Sequence, residues 1–188
     1  MSLDSQPVAA TGTSTSARLL IALVALVCAA PFLAAWVTYY LLTPKGGASY
    51  GELLPTQPVP SLMLPSEDAE KLRGRWLLLV YVEGSCDARC EQTLYATRQA
   101  HAILGRDRAR VKRVLLGGAH LSEAQRRAHP DLLITAAQPP TPALGQLLRT
   151  RTVLIDPLGN QVLAWPLDPD IKRLADDLRR LLRASRIG

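Results

Sequence analysis

The stretch Gly84-Ser85-Cys86-Asp87-Ala88-Arg89-Cys90 decides how this chain is read. The run before it, Trp76 to Val82, has the length and the β-branched and aromatic content of a buried strand, and Gly84 breaks it. The segment after it, through Leu104, reads as a helix. A strand that turns into a helix here sets Cys86 near the positive end of a helix dipole, where backbone N–H groups favour a thiolate. Residues four apart share a helix face, with Cβ atoms about 5–6 Å apart. Cys86 and Cys90 therefore point at one spot. A disulfide wants Cβ atoms roughly 3.5–4.5 Å apart, so a bridge requires a small departure from regular helix with Cys86 at the cap. A static bridge, a reversible redox couple and a soft metal ion all suit that geometry.

Working outward, Arg110 to Leu116 reads as a second strand closed by Gly117-Gly118. Strand, helix, strand in that order implies a right-handed crossover and a parallel pair, Trp76–Val82 beside Val111–Leu116. Ligand sites in such sheets lie beyond the carboxyl ends of the strands, which is where the cysteine motif and His120 fall. A short helix follows from Ser122, whose pairing with Gln125 fits a capping box. Leu132-Leu133-Ile134, a Pro-rich stretch and a short helix over Ala143 to Leu148 come next. Thr152–Ile155 and Gln161–Ala164 flank Asp156-Pro157-Leu158-Gly159-Asn160, a hairpin signal. Ile171, Leu174, Leu178, Leu181 and Leu182 then form one face of a closing helix. The fold class is α/β.

Upstream, Leu19 to Leu42 carries no charge over 24 residues and ends near Trp36, Tyr39 and Tyr40. That is long enough to span a bilayer. The run continues well past Ala30, and Val27 is bulky for a residue before a lipidated cysteine, which argues against a cleaved signal ending around Cys28. Residues 1–18 read as a short disordered tail, 19–42 as a transmembrane helix, 43–66 as a Pro/Gly-rich linker that holds the domain off the membrane, and 67–188 as the domain. A short strand is expected at Ser61 to Leu64. Arg18 and Lys45 leave the positive-inside rule nearly silent. Compartment logic for a cysteine pair favours the domain on the outer, periplasmic face of a bacterial-type inner membrane.

The net charge of +6 belongs to the part after the span, because Asp4 and Arg18 cancel before it. Its bases are interleaved with acids, as in Arg106-Asp107-Arg108, and no recognised motif accompanies them, so nucleic acid is not an expected partner. A basic surface facing anionic lipid headgroups accounts for the charge.

The order βαβ, hairpin, closing helix, with a cysteine pair at the first strand-to-helix turn, is the thioredoxin-like plan. The anchor, the proline-bearing linker, Leu72-Arg73-Gly74-Arg75-Trp76, the Cys-x-x-x-Cys at Cys86 and Cys90, and Ile155-Asp156-Pro157-Leu158-Gly159-Asn160 together resemble the Sco/SenC family. That resemblance implies a membrane-anchored thioredoxin fold that handles copper, or exchanges thiols and disulfides, during assembly of cytochrome c oxidase. Its members hold copper with two cysteines and a distal histidine. This chain departs from the pattern at Glu91, where proline usually follows the second cysteine, and at Leu148, where the distal histidine should stand. Cys86 and Cys90 carry over, as redox pair or copper ligands, and His120 is the only substitute for the third ligand. His101 and His129 are expected to be solvated or to cap helices. A thioredoxin-type enzyme has two residues between its cysteines and a cis-proline before the hairpin, whereas three spacers and Arg149-Thr150-Arg151 occur here. The alternative is a respiratory-chain-associated membrane protein whose disulfide is structural.

Overall fold

The computed structural model describes residues 15–41, 49–60, 69–70 and 72–186. They form two units, divided between Gly47 and Ala48. The first is one helix, α1 (Thr15–Leu41), with Pro31 inside it. Its apolar core, Ala17–Thr38, covers 22 residues, about 33 Å at helical rise, which matches a bilayer's hydrocarbon thickness. Thr38 donates its hydroxyl to the Ala34 carbonyl (2.7 Å), so the helix satisfies this polar group internally.

The second unit is a six-stranded sheet in the order β1-β6-β5-β2-β3-β4. Its strands are β1 (Glu52–Leu53), β2 (Trp76–Tyr81), β3 (Val111–Leu116), β4 (Leu132–Ile134), β5 (Arg151–Ile155) and β6 (Gln161–Pro166). The helices are α2 (Ala88–Ile103), α3 (Glu123–Ala128), α4 (Pro142–Leu148) and α5 (Ile171–Ala184), with a 3-10 segment at Gly105–Arg110. β2 and β3 are parallel in the register Trp76↔Val111 through Tyr81↔Leu116, as the strand, helix, strand order predicts. β5 pairs antiparallel with β2 on one side and β6 on the other.

Side chains on β2 alternate between two cores. Trp76 and Leu78 face α2 and α5, packing with Ala100, Leu104, Leu174, Leu178 and Leu182. Leu77, Leu79 and Tyr81 face the other way, onto Leu144 and Leu148 of α4. Every residue of β2 is buried, which explains why it reads as a continuous apolar run. The Ser122–Gln125 capping box is present in full.

The stretch expected to be a spacer contributes its described part to the domain. Glu52 and Leu53 pair with Ala164 and Leu163, and Pro58 bridges Asn160. The Tyr50 and Gly51 amides both donate to the Asp177 carboxylate, at 3.1 and 2.7 Å. Prolines tolerate this because an edge strand bonds along one side only. A β-carbon on Gly51 would stand 2.5 Å from Trp165 Nε1, so only glycine lets the backbone approach here. The strand expected at Ser61 to Leu64 lies outside the described residues.

Candidate redox site

Val82 still follows β3, donating to the Leu116 carbonyl at 3.1 Å. Gly84 then takes φ +79°, a left-handed conformation that side chains disfavour. The turn brings Ser85 alongside His120 in a parallel bridge. His120 N donates to Gly84 O at 2.7 Å, and Cys86 N to His120 O at 3.4 Å. Asp87 caps α2, its carboxylate accepting the Cys90 amide at 2.9 Å.

Cys86 and Cys90 form a disulfide, with Cα atoms 5.3 Å apart. Cys86 lies one residue before the cap, outside the regular helix, and this is the relaxation that the spacing demanded. Cys90 is 4% exposed and packs with Leu94, Leu115 and Leu121. Cys86 is half-buried at the edge of that cluster. The pair is therefore asymmetric in burial: Cys86 is the more exposed residue, and Cys90 packs into the core while lining the adjacent cleft. Asp87 and Glu83 both have partners.

A cleft of about 320 Å³ opens beside the pair, with Val80, Val82 and Leu167 among its apolar lining and Ser85, Cys90 and Arg149 among the rest. Tyr81 donates its hydroxyl to Glu83, and Gln138 Oε1 lies 2.9 Å from the same oxygen. Arg149 pairs with Glu83 at 3.4 Å and lies 5.7 Å from the centre of the Tyr81 ring. Burial, then the bond to Glu83, pushes the Tyr81 phenol up, and that bond from Tyr81 holds the Glu83 carboxyl below the usual range. Thr93 donates to Arg89 O at 2.9 Å and also to Leu167 O, tying α2 to the loop before α5.

The sequence reading placed Cys86, Cys90 and His120 in one crevice, and their backbones do meet there. The His120 side chain, however, is exposed. Among the described residues no three His, Cys, Asp or Glu side chains are grouped to hold a metal ion. Once reduced, the pair would offer two sulfurs to a soft cation.

Behind the site lie three buried polar groups, of which His101 departs from the expectation of solvation or capping. His101 and His129 are buried. His101 Nε2 bonds Arg108 O (2.9 Å) and Val111 O (3.0 Å), and burial is the main cause lowering its pKa. His129 caps α3, and burial pushes it down to about 4. Arg113, on β3, is 2% exposed and donates from Nη2 to Leu94 O at 2.9 Å. Desolvation lowers it to about 10, so it stays charged near neutrality.

Two parallel strands joined through a helix, an antiparallel hairpin, a closing helix and a disulfide at the first strand-to-helix turn define a thioredoxin-like domain, here in a chain with one apolar helix before it. Residues 76–185 match the family described as transmembrane-like, thioredoxin-like, C-terminal domain, and the chain belongs to that family. No curated protein matches the chain. Solved structures similar to it include apo Sco1 from Thermus thermophilus, at 19% identity, TM-score 0.46, covering 73% of this chain and 99% of that one. Copper-bound ScoI of Arabidopsis thaliana shows 15% identity and TM-score 0.48 over 73% of this chain and 100% of that one. Peroxidoxin BcpB of Mycobacterium tuberculosis shows 14% identity and TM-score 0.41 over 74% and 99%.

Proposed function

We propose that this protein is a membrane-anchored thiol–disulfide exchange factor, with Cys86 as the attacking and Cys90 as the resolving sulfur. The observation that carries this reading is the asymmetry of the disulfide: one sulfur half-buried before a helix cap, the other in the core. In the dithiol state the Cys86 thiolate attacks a partner disulfide, forming a mixed disulfide and releasing one partner thiolate. Cys90 then attacks Cys86, releasing the second. Two electrons pass to the partner, and an upstream dithiol protein returns the pair to its reduced form. The positive end of α2 favours a thiolate at this place, and the Asp87 carboxylate, which takes the Cys90 amide, works against it.

The resemblance to Sco/SenC proteins supports placing this exchange in cytochrome c oxidase assembly, with the domain on the periplasmic face. Cu(I) as cargo is a second reading, supported by the two sulfurs and restricted to them, since Cu(II) prefers nitrogen-rich surroundings. The test is a redox titration of the detergent-solubilised full chain, following alkylation of Cys86 and Cys90. A reversible two-electron transition above about −300 mV is expected, lost in Cys86→Ser. A potential below that range leaves a structural bridge and overturns the proposal. A parallel Cu(I) titration of the reduced chain decides the second reading. Protease access to the domain in intact spheroplasts checks its side of the membrane.

A further inference from the structure

Arg113 stands in the middle of the sheet, opposite Leu78 of β2 and Leu132 of β4, where an apolar side chain would pack at no cost in desolvation. Its Nη2 donates to the Leu94 carbonyl, while its Nε and Nη1 have no hydrogen-bond partner among the described residues. The charges around it do not answer it. Asp131 favours its cation but is 57% exposed and pairs with Arg108 at 3.4 Å, and Arg98 opposes it, its own Nη1 lying on the Ala128 carbonyl. His129, buried in the same corner, is neutral near pH 7. A core that keeps an unanswered cation violates the rule of polar satisfaction, and such violations gather at functional places.

The functional place nearest to it is the cysteine pair. Leu94 follows Cys90 by one turn on the same face of α2, and Leu115, two residues beyond Arg113 on the same face of β3, packs with both. The guanidinium seated on Leu94 O therefore lies on the order of 10 Å behind Cys90, across Leu94 and Leu115, which are fully buried. Reduction breaks the S–S bond, takes two electrons from a donor dithiol and one proton, and leaves one thiol and one thiolate. The disulfide is neutral and the reduced pair is anionic, so a fixed cation in the core favours the reduced form alone.

We infer that Arg113 tunes the redox pair, its buried charge offsetting Asp87 and making the Cys86–Cys90 disulfide easier to reduce than an apolar residue in its place would. This rests on the exchange reading of the site and names the residue that sets its potential.

The test equilibrates the full chain in detergent with dithiothreitol and glutathione buffers, for the native sequence, Arg113→Met and Arg113→Lys. Arg113→Met is expected to move the equilibrium roughly tenfold toward the disulfide, about 30 mV, and to raise the pH midpoint of thiol alkylation. Arg113→Lys keeps the charge and should restore both. A side chain that only fills space would alter the denaturation midpoints of oxidised and reduced protein alike and leave potential and alkylation profile in place; that result overturns the inference. So does an equal shift in Arg113→Met and Arg113→Lys, which would give the effect to shape. A native pair that glutathione buffers cannot reduce would instead sink the exchange reading, and the dithiothreitol equilibria of the variants would still judge Arg113.

Discussion

The Asp87 carboxylate accepts the Cys90 amide at 2.9 Å, so the residue that starts α2 also fixes the backbone of the buried half of the disulfide. Replacing Asp87 with alanine leaves that amide without its cap and should cost about 1 kcal/mol. Urea denaturation of oxidised and reduced protein measures it. An equal loss in both states is expected, because the cap precedes and does not depend on the sulfur bond.

Asp177 satisfies three donors at once: the Tyr50 and Gly51 amides and the Trp165 indole, the last at 3.0 Å. Asp177→Ala orphans all three in a place where the carboxylate is 3% exposed. The loss should be on the order of 3 kcal/mol, and less in Asp177→Asn, which retains one acceptor. Denaturation midpoints of the two variants check the order.

Both buried histidines make stability fall with acid. The unfolded chain protonates each imidazole below about pH 6.5, whereas folded His129 resists until about 4 and His101 is also lowered. Between those values the unfolded state binds more protons, so stability is full above pH 6.5 and declines toward pH 4. Arg113 and Arg98 oppose protonation of His129 while Glu91 favours it, and Arg113 and Arg108 oppose that of His101. His129→Gln should flatten part of the slope of melting temperature against pH.

Arg113 is a buried cation whose Nη2 donates to the Leu94 carbonyl, while its Nε and Nη1 have no hydrogen-bond partner among the described residues. Desolvation of such a group outweighs one hydrogen bond. Arg113→Met keeps the volume and removes the charge, and is expected to raise stability by about 1–2 kcal/mol. A lower denaturant midpoint in this variant would contradict that balance.

How much of this was legible beforehand depends on the range of the signal. β2, α2, β3, the hairpin and α5 declare themselves through local period and turn residues, and the cysteine pair through its spacing. Arg113 sits in a strand that was recognised, yet nothing near it in sequence says that its side chain turns inward. Asp177 lies beside Asp176 and reads as a solvated pair, although its place between Leu174, Leu178 and Leu181 puts it on the buried face. Glu83 and Arg149 meet only because β2 and β5 are neighbours. The Tyr50–Pro58 segment looks like a tether by composition, since its pairing partners lie more than a hundred residues away.

The Gly51–Asp177 bond has a practical meaning for where the domain can be cut. It spans 126 residues of sequence, so the hydrogen-bonded ends enclose nearly the whole folded unit. A soluble fragment started at Glu67 would discard the edge strand and leave Asp177 and Trp165 facing an open groove where backbone had been. One started at Ser49 keeps both, and its melting temperature should exceed that of the shorter fragment by several degrees.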